Sequence, residues 1–242
     1  MQETQRSALY QSETSKHRSK LVSYCTGCGI DIGFGGDPIT PNAVRVDFPT
    51  PYAYTGELGV QLAGDARDLR WFKDGALDFV YSSHVLEDFD EDETGPVLRE
   101  WSRVLRPGGK LVLLQPDQQR YLAYCKKTGQ GVNTHHSIDR FSLSYVRDVA
   151  GKIGGLHYLA GDENIDEYSF FAVFEKTAAA NGSLAKVEDE SGSLKLRQEK
   201  ADLQFKLRTL EIEHKKLAEK LNHPVIKVLK VFYKLPGKFG KK

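Results

Sequence analysis

Between residues 24 and 177, short apolar runs alternate with polar, glycine-bearing turns. Gly29-Ile30-Asp31-Ile32 opens the series as a buried strand, and 43–47 reads as a second strand ending on Asp47. Residues 59–63 make a third strand, 77–81 a fourth and 110–115 a fifth. The stretches 156–160 and 169–175 close the series, the latter strongly apolar through Phe170, Phe171, Val173 and Phe174. Helical spacing sets in at 97–105, where Val97, Leu98, Trp101, Val104 and Leu105 share one face. Arg106-Pro107-Gly108-Gly109 terminates that helix. A second helix is predicted over 144–153, with Ser144 as a possible cap. Residues 116–147 are less regular, and the first twenty are polar, with Tyr10 and Leu21-Val22 as possible anchors. Strand, helix, strand with long apolar runs implies a parallel sheet covered on both faces.

The turn after the first strand concentrates the chemistry. Gly33, Gly35 and Gly36 fall within four positions, and missing Cβ atoms let a backbone touch a ligand. A bland glycine-rich loop is the competing reading. The dinucleotide fingerprint wants a further glycine at position 38, where this chain has Pro38, so a nicotinamide oxidoreductase is disfavoured. Asp47 ends the next strand, where a carboxylate can accept from both hydroxyls of a ribose. An ordinary turn aspartate remains the alternative there.

Asp31-x-Gly33-x-Gly35 resembles motif I of the class I S-adenosylmethionine (SAM)-dependent methyltransferases. The resemblance continues through Ser83-His84-Val85-Leu86-Glu87, with Asp88 where the family often has a further His, and through the Leu-Arg-Pro-Gly-Gly turn. It spans about residues 24–177 and implies an α/β, Rossmann-like, doubly wound sheet. That sheet would be mostly parallel and seven-stranded, with an antiparallel edge hairpin. SAM is the cofactor it implies. Asp31, Gly33, Phe34, Gly35 and Gly36 would surround the methionyl end, Asp47 the ribose, and Asp65-Ala66 the adenine, with Ser82 and Ser83 closing the pocket from the fourth strand. Candidate bases for an acceptor hydroxyl are His84, His135 and His136. Asp117 would orient an imidazole or bind the acceptor. A helix-start packing role for His84 and a solvated-loop role for His135-His136 stay open. No metal is implied.

Composition adds an appendage to this picture. With 242 residues, 40% hydrophobic and 28% charged, the chain can bury one full core with residues to spare. Cys25, Cys28 and Cys125 do not make a zinc set, and a reduced, cytoplasmic compartment fits them. The net charge of +1 conceals an asymmetry, because residues 222–242 hold six lysines and no acid. Residues 178–193 have a linker composition. Over 194–222, Leu196, Leu203, Leu210 and Leu217 recur every seven residues, which predicts a coiled coil and a homo-oligomer. Docking of that helix on the catalytic domain is the alternative. Asn222-His223-Pro224 breaks the heptads, and 223–242 follows as a basic amphipathic tail. Over 225–235, Lys227, Lys230 and Lys234 form one stripe on an otherwise apolar helix, suited to an anionic membrane surface. Packing against the core is the competing reading, and nucleic acid is not the expected partner. A methyltransferase domain with such a terminus resembles enzymes of bacterial surface-polysaccharide biosynthesis. The expected reaction is therefore O-methylation of a sugar hydroxyl on a lipid-linked or nascent glycan, at the inner face of the membrane. A small-molecule or phosphate methyltransferase, or an inactive methyltransferase-like scaffold, are the alternatives.

Overall fold

The computed structural model describes residues 12–49 and 58–178. Tyr10, the linker, the coiled coil and the basic tail lie outside the described residues. Seven strands form one sheet: β1 (Gly29–Ile32), β2 (Val44–Asp47), β3 (Leu62–Ala63), β4 (Leu77–Ser83), β5 (Leu105–Pro116), β6 (Leu156–Asp162) and β7 (Ser169–Lys176). Their order is β3-β2-β1-β4-β5-β7-β6. The first five strands pair in parallel, while β7 runs antiparallel to both β5 and β6. The expected mostly parallel sheet with an antiparallel edge is therefore present. The chain winds outward from β1 to β3 and then crosses back to β4. This reversal opens a crevice at the carboxyl ends of β1 and β4, where open α/β sheets bind ligands.

Both faces of the sheet are covered, as the apolar runs require. On one face, Ile30, Val80, Leu111 and Leu113 pack with α2 (Glu91–Val104) and α4 (Leu143–Ile153), around fully buried Trp101. On the other face, Phe79, Tyr81, Val112 and Leu114 meet Leu21, Cys25, Ile39 and Ala43. Leu21 ends α1 (Glu13–Leu21), so the polar N-terminal stretch contributes a packed helix. A fourth helix, α3 (Gln118–Thr128), follows β5 directly.

Several boundaries differ from the sequence reading, each for a local reason. Among the described residues, no helix joins β1 to β2 or β3 to β4. Residues 33–43 carry three glycines, Pro38 and Pro41, a composition that disfavours a helix. The segment instead plugs the sheet face with Ile39 and Ala43. Helix α2 begins at Glu91, well before its apolar spacing, because its first turn is acidic and Glu93 Oε2 accepts from the Asp90 N–H at 3.3 Å. The cap of α4 is Ser142, whose Oγ accepts from Tyr145 N at 3.3 Å, and not Ser144. Strand β5 starts at Leu105, so the expected terminating turn at 106–109 lies inside its bounds, with a register shift between Leu77 and Phe79 of β4. The third strand shrinks to two paired residues.

Candidate active site

The site is built at the carboxyl ends of β1, β2, β3 and β4. Register places Ile32 beside both Val46 and Ser82, and Asp47 beside Ala63. The glycine turn leaves β1 with positive φ at Gly33 (69°), Gly35 (58°) and Gly36 (93°), which side chains rarely tolerate. A Cβ on Gly33 would lie 2.1 Å from Val85 Cγ2, so this glycine is also required by its neighbour. Asp31 is fully buried. Its Oδ2 accepts from Ile39 N at 2.6 Å, which shapes the turn, while Oδ1 has no hydrogen-bond partner among the described residues. Burial pushes the Asp31 carboxyl well above the usual range, and the charges of Asp47 and Asp37 add to the rise. Asp47 accepts from Phe48 N at 2.7 Å and from Gly35 N at 3.3 Å, and burial raises its carboxyl too.

Asp65 lies two residues past β3, and Arg67 takes up much of its carboxylate. Oδ1 accepts from the Arg67 backbone N–H and from Nε, each at 2.9 Å, while Nη2 donates to Oδ2. Arg67 also donates to Glu93 Oε1 at 2.9 Å, which anchors this turn to α2. Trp101 Nε1 fixes the same turn by donating to the Ala66 carbonyl at 2.7 Å. Phe34 is buried, and Ser82 Oγ donates to the Ile32 carbonyl at 3.2 Å, so both support the β1–β4 junction.

A second group of polar residues gathers where β4 ends. His84 has φ 53°, alone among the described non-glycine residues in the left-handed region. Gln115 of β5 holds this corner: its Oε1 accepts from Val85 N and Leu86 N at 3.3 Å, and its Nε2 donates to the Ser82 carbonyl at 3.2 Å. His84 Nδ1 lies 3.5 Å from Glu87 Oε1, and its Nε2 lies 4.0 Å from Glu13 Oε2 of α1. His136 joins from the other side. Its Nδ1 meets Gln118 Oε1 at 2.7 Å, its Nε2 lies 3.8 Å from Glu87 Oε1, and its ring rests 4.7 Å from that of Tyr121. Tyr168 stands edge-on to His84 at 6.1 Å. Burial pushes the imidazoles of His84 and His136 below their ordinary range, outweighing the nearby acids. Burial also raises the Glu87 carboxyl well above its range, with the charge of Asp88 adding to it.

The structure thus brings His84 and His136 together and leaves their partner His135 exposed, with its backbone N–H donating to Asn133 Oδ1 at 3.1 Å. Asp117 caps α3, a helix the sequence pattern does not predict, by accepting from Arg120 N at 3.1 Å through Oδ1. The sequence pattern also passes over Glu13, Glu87 and Gln115. Glu87 had a visible signal, an acid inside an apolar corner, whereas Glu13 reaches the site only through tertiary packing of α1. Glu13, His17 and Asp166 carry potential ligand atoms within 4.8 Å of one another, but Lys16 pairs with Glu13 at 2.6 Å and His17 with Asp166 at 2.8 Å. Ion pairing accounts for that cluster. A cavity of about 430 Å³ lined by Arg147, His157 and Tyr158 lies at the opposite, amino end of the sheet.

A seven-stranded sheet of this order, with a glycine turn and an acid at successive strand ends, defines the class I methyltransferase fold. Residues 42–113 match the model of a methyltransferase domain family. Among solved structures, the PH0226 protein from Pyrococcus horikoshii OT3 is 16% identical, with 69% of this chain and 93% of that one covered at a TM-score of 0.50. A SAM-dependent methyltransferase from Archaeoglobus fulgidus is 15% identical, with 67% and 92% covered at 0.52. A protein described as converting a disulfide bond into a thioacetal group in echinomycin biosynthesis is 15% identical, with 76% and 88% covered at 0.52. No curated protein matches the sequence. Residues 42–113 are a methyltransferase domain whose fold is that of SAM-dependent methyltransferases, and SAM is the cofactor such a domain uses. One observation at the glycine turn fits a cationic cofactor: the buried Asp31 Oδ1 has no hydrogen-bond partner among the described residues.

Proposed function

We propose that the protein O-methylates a sugar hydroxyl of a lipid-linked or nascent surface glycan, with His84 as the general base. The observation that carries this reading is the state of His84. Its Nε2 is buried, has no hydrogen-bond partner among the described residues, and belongs to an imidazole that burial keeps neutral at pH 7. Such a nitrogen can take a proton from a weakly acidic hydroxyl, a gain of roughly 10²–10⁴-fold. SAM, when bound, supplies an electrophilic methyl group on a sulfonium. Asp31, Gly33, Phe34, Gly35 and Gly36 would hold its methionyl end, Asp47 the ribose, and Asp65 and Ala66 the adenine, with Ser82 and Ser83 beside them. The chain's own task is then to seat the acceptor, exclude water and remove one proton.

The setting of His84 argues against an anionic acceptor such as a phosphate. Glu13, Glu87 and Asp166 surround it, the Lys16 ammonium is paired with Glu13, and Arg120 donates to the carbonyls of Glu163 and Asp166. Location at the inner membrane face rests on the basic stripe of 225–235, and dimerisation on the leucine heptads of 194–222. No helix among the described residues is long and apolar enough to cross a membrane. Mass spectrometry of the native host's glycans tests the reading. Methyl groups should disappear without the protein and stay absent when His84→Ala replaces it. Glycans unchanged by loss of the protein would refute a glycan acceptor.

A further inference from the structure

The proton-transfer role given to His84 leaves a buried carboxylate oxygen beside it without a task. Glu13 is the first residue of α1, and its Oε1 accepts from the Tyr168 hydroxyl at 2.8 Å and from Lys16 Nζ at 2.6 Å. Its Oε2 is buried without a hydrogen-bond partner among the described residues. The same holds for His84 Nε2, 4.0 Å away. Burial works against ionisation of Glu13, but His84, Lys16 and the Tyr168 bond outweigh it and hold the carboxyl below its usual range. Lys16 and the Tyr168 hydroxyl favour the ionised carboxylate, burial favours the neutral imidazole, and with the ring proton on Nδ1, 3.5 Å from Glu87 Oε1, the pair offers two hydrogen-bond acceptors side by side. Leaving either unsatisfied when buried is costly, so the ligand that fits should bring two donors. One hydroxyl has a single O–H and can serve only one of them.

Glu13 is also held firmly in place. Its helix is tied to the end of the glycine turn by Ser12 and Arg18, which both donate to Asp37. On the other side, His17 meets Asp166 at 2.8 Å and Lys20 meets Asp162 at 2.8 Å, which binds α1 to the β6–β7 hairpin. Thr14 meets Tyr81 of β4 at 3.1 Å beneath it. A carboxylate braced from both ends is suited to fixing a ligand's orientation, which is where positioning lowers a barrier.

We infer that Glu13 is an acceptor-binding residue and that the site selects a vicinal diol, with one hydroxyl on His84 Nε2 and its neighbour on Glu13 Oε2. This inference rests on the O-methylation reading above. It makes the hydroxyl next to the methylated one a requirement for binding, and it assigns that requirement to a single side chain of the N-terminal helix. Loss of one hydrogen bond to a charged group should cost about tenfold or more in KM.

The full-length protein, labelled SAM and a panel of methyl hexosides with their monodeoxy counterparts provide the test. At least one hexoside should accept label, and removing the hydroxyl adjacent to the methylated position should raise KM about tenfold or more. Glu13→Ala should raise KM for the diol by a similar factor, leave kcat within about twofold, and erase the preference for diol over deoxy compound. The comparison of sugars on the unaltered protein stands even where Glu13→Ala folds poorly. Equal use of diol and deoxy sugar, or an undiminished diol preference in Glu13→Ala, overturns the inference while leaving O-methylation intact. Label in none of the hexosides refutes the glycan reading and this inference with it.

Discussion

Asp31 and Asp47 are acids that burial resists ionising, and the cofactor they are proposed to hold is cationic. That combination couples protonation to binding. Each carboxyl is raised above its usual range, so each takes up a proton at a pH where an exposed acid would stay charged. A bound sulfonium and ammonium favour the ionised forms. SAM affinity should therefore be highest above these raised values and fall as pH drops through them. Calorimetry in buffers of different ionisation enthalpy should also record protons released on binding at any pH where either raised carboxyl is still protonated in the free protein. Affinity independent of pH from the ordinary carboxylate range up to pH 8 would remove both acids from the cofactor's surroundings. The histidines divide by their environment. His84→Ala should lower turnover by roughly 10²–10⁴-fold. His135→Ala should leave turnover near the unaltered level, because its side chain is exposed. Turnover in each variant, measured with saturating acceptor over pH 5–9, checks both. The limb assigned to His84 should fall below the ordinary histidine range, since activity needs the neutral ring and burial lowers its pKa.

The glycine turn and the β4 corner work as one unit, because Gly33 and Val85 touch. Gly33→Ala places a Cβ 2.1 Å from Val85 Cγ2 on a backbone with φ 69°. The left-handed penalty alone is about 1–2 kcal/mol, and the clash adds to it. Thermal unfolding should register that loss, and SAM affinity should fall with it. An unchanged melting temperature would mean that the turn can move freely away from the corner. At this scale the sequence was readable where one face or one backbone position dictated residue type. The apolar runs of β1, β4, β5 and β7 and the three glycines announced themselves, since burial on both faces and positive φ leave few alternatives. Helix α3 was hidden because its apolar stripe is sparse, with Tyr121 and Cys125 its buried apolar residues. The absence of a helix between β1 and β2 was foreshadowed by Pro38 and Pro41. The acceptor side of the site was the least legible part. Glu13 and His84 are 71 positions apart in sequence, and nothing in local pattern says that α1 folds over the end of β4.

On the scale of the molecule, one domain carries the chemistry and the residues beyond 178 are proposed to place it. If the heptads of 194–222 pair, Leu207→Lys should lower the mass measured in solution by light scattering. If the stripe of 225–235 holds an anionic surface, each lysine near that surface contributes about 1 kcal/mol. Two chains joined by the heptads would act as one stronger anchor. Binding to anionic vesicles should then weaken with salt, weaken further in Leu207→Lys, and vanish on truncation before Pro224, while methylation of a soluble acceptor fragment persists. A truncated protein that still sediments with vesicles would assign membrane binding to another part of the chain.

The central claim is that the carboxyl edge divides its labour, with β1 and β2 holding the cofactor and the β4 corner acting on the acceptor. Calorimetric titration of SAM into the unaltered protein, Asp47→Ala and His84→Ala tests that division most directly. Asp47→Ala should weaken binding by roughly 1–3 kcal/mol, the cost of a carboxylate's hydrogen bonds to a ligand, with circular dichroism unchanged. His84→Ala should bind SAM as the unaltered protein does. Equal affinity in all three proteins, or a loss in His84→Ala that matches the loss in Asp47→Ala, would contradict the account.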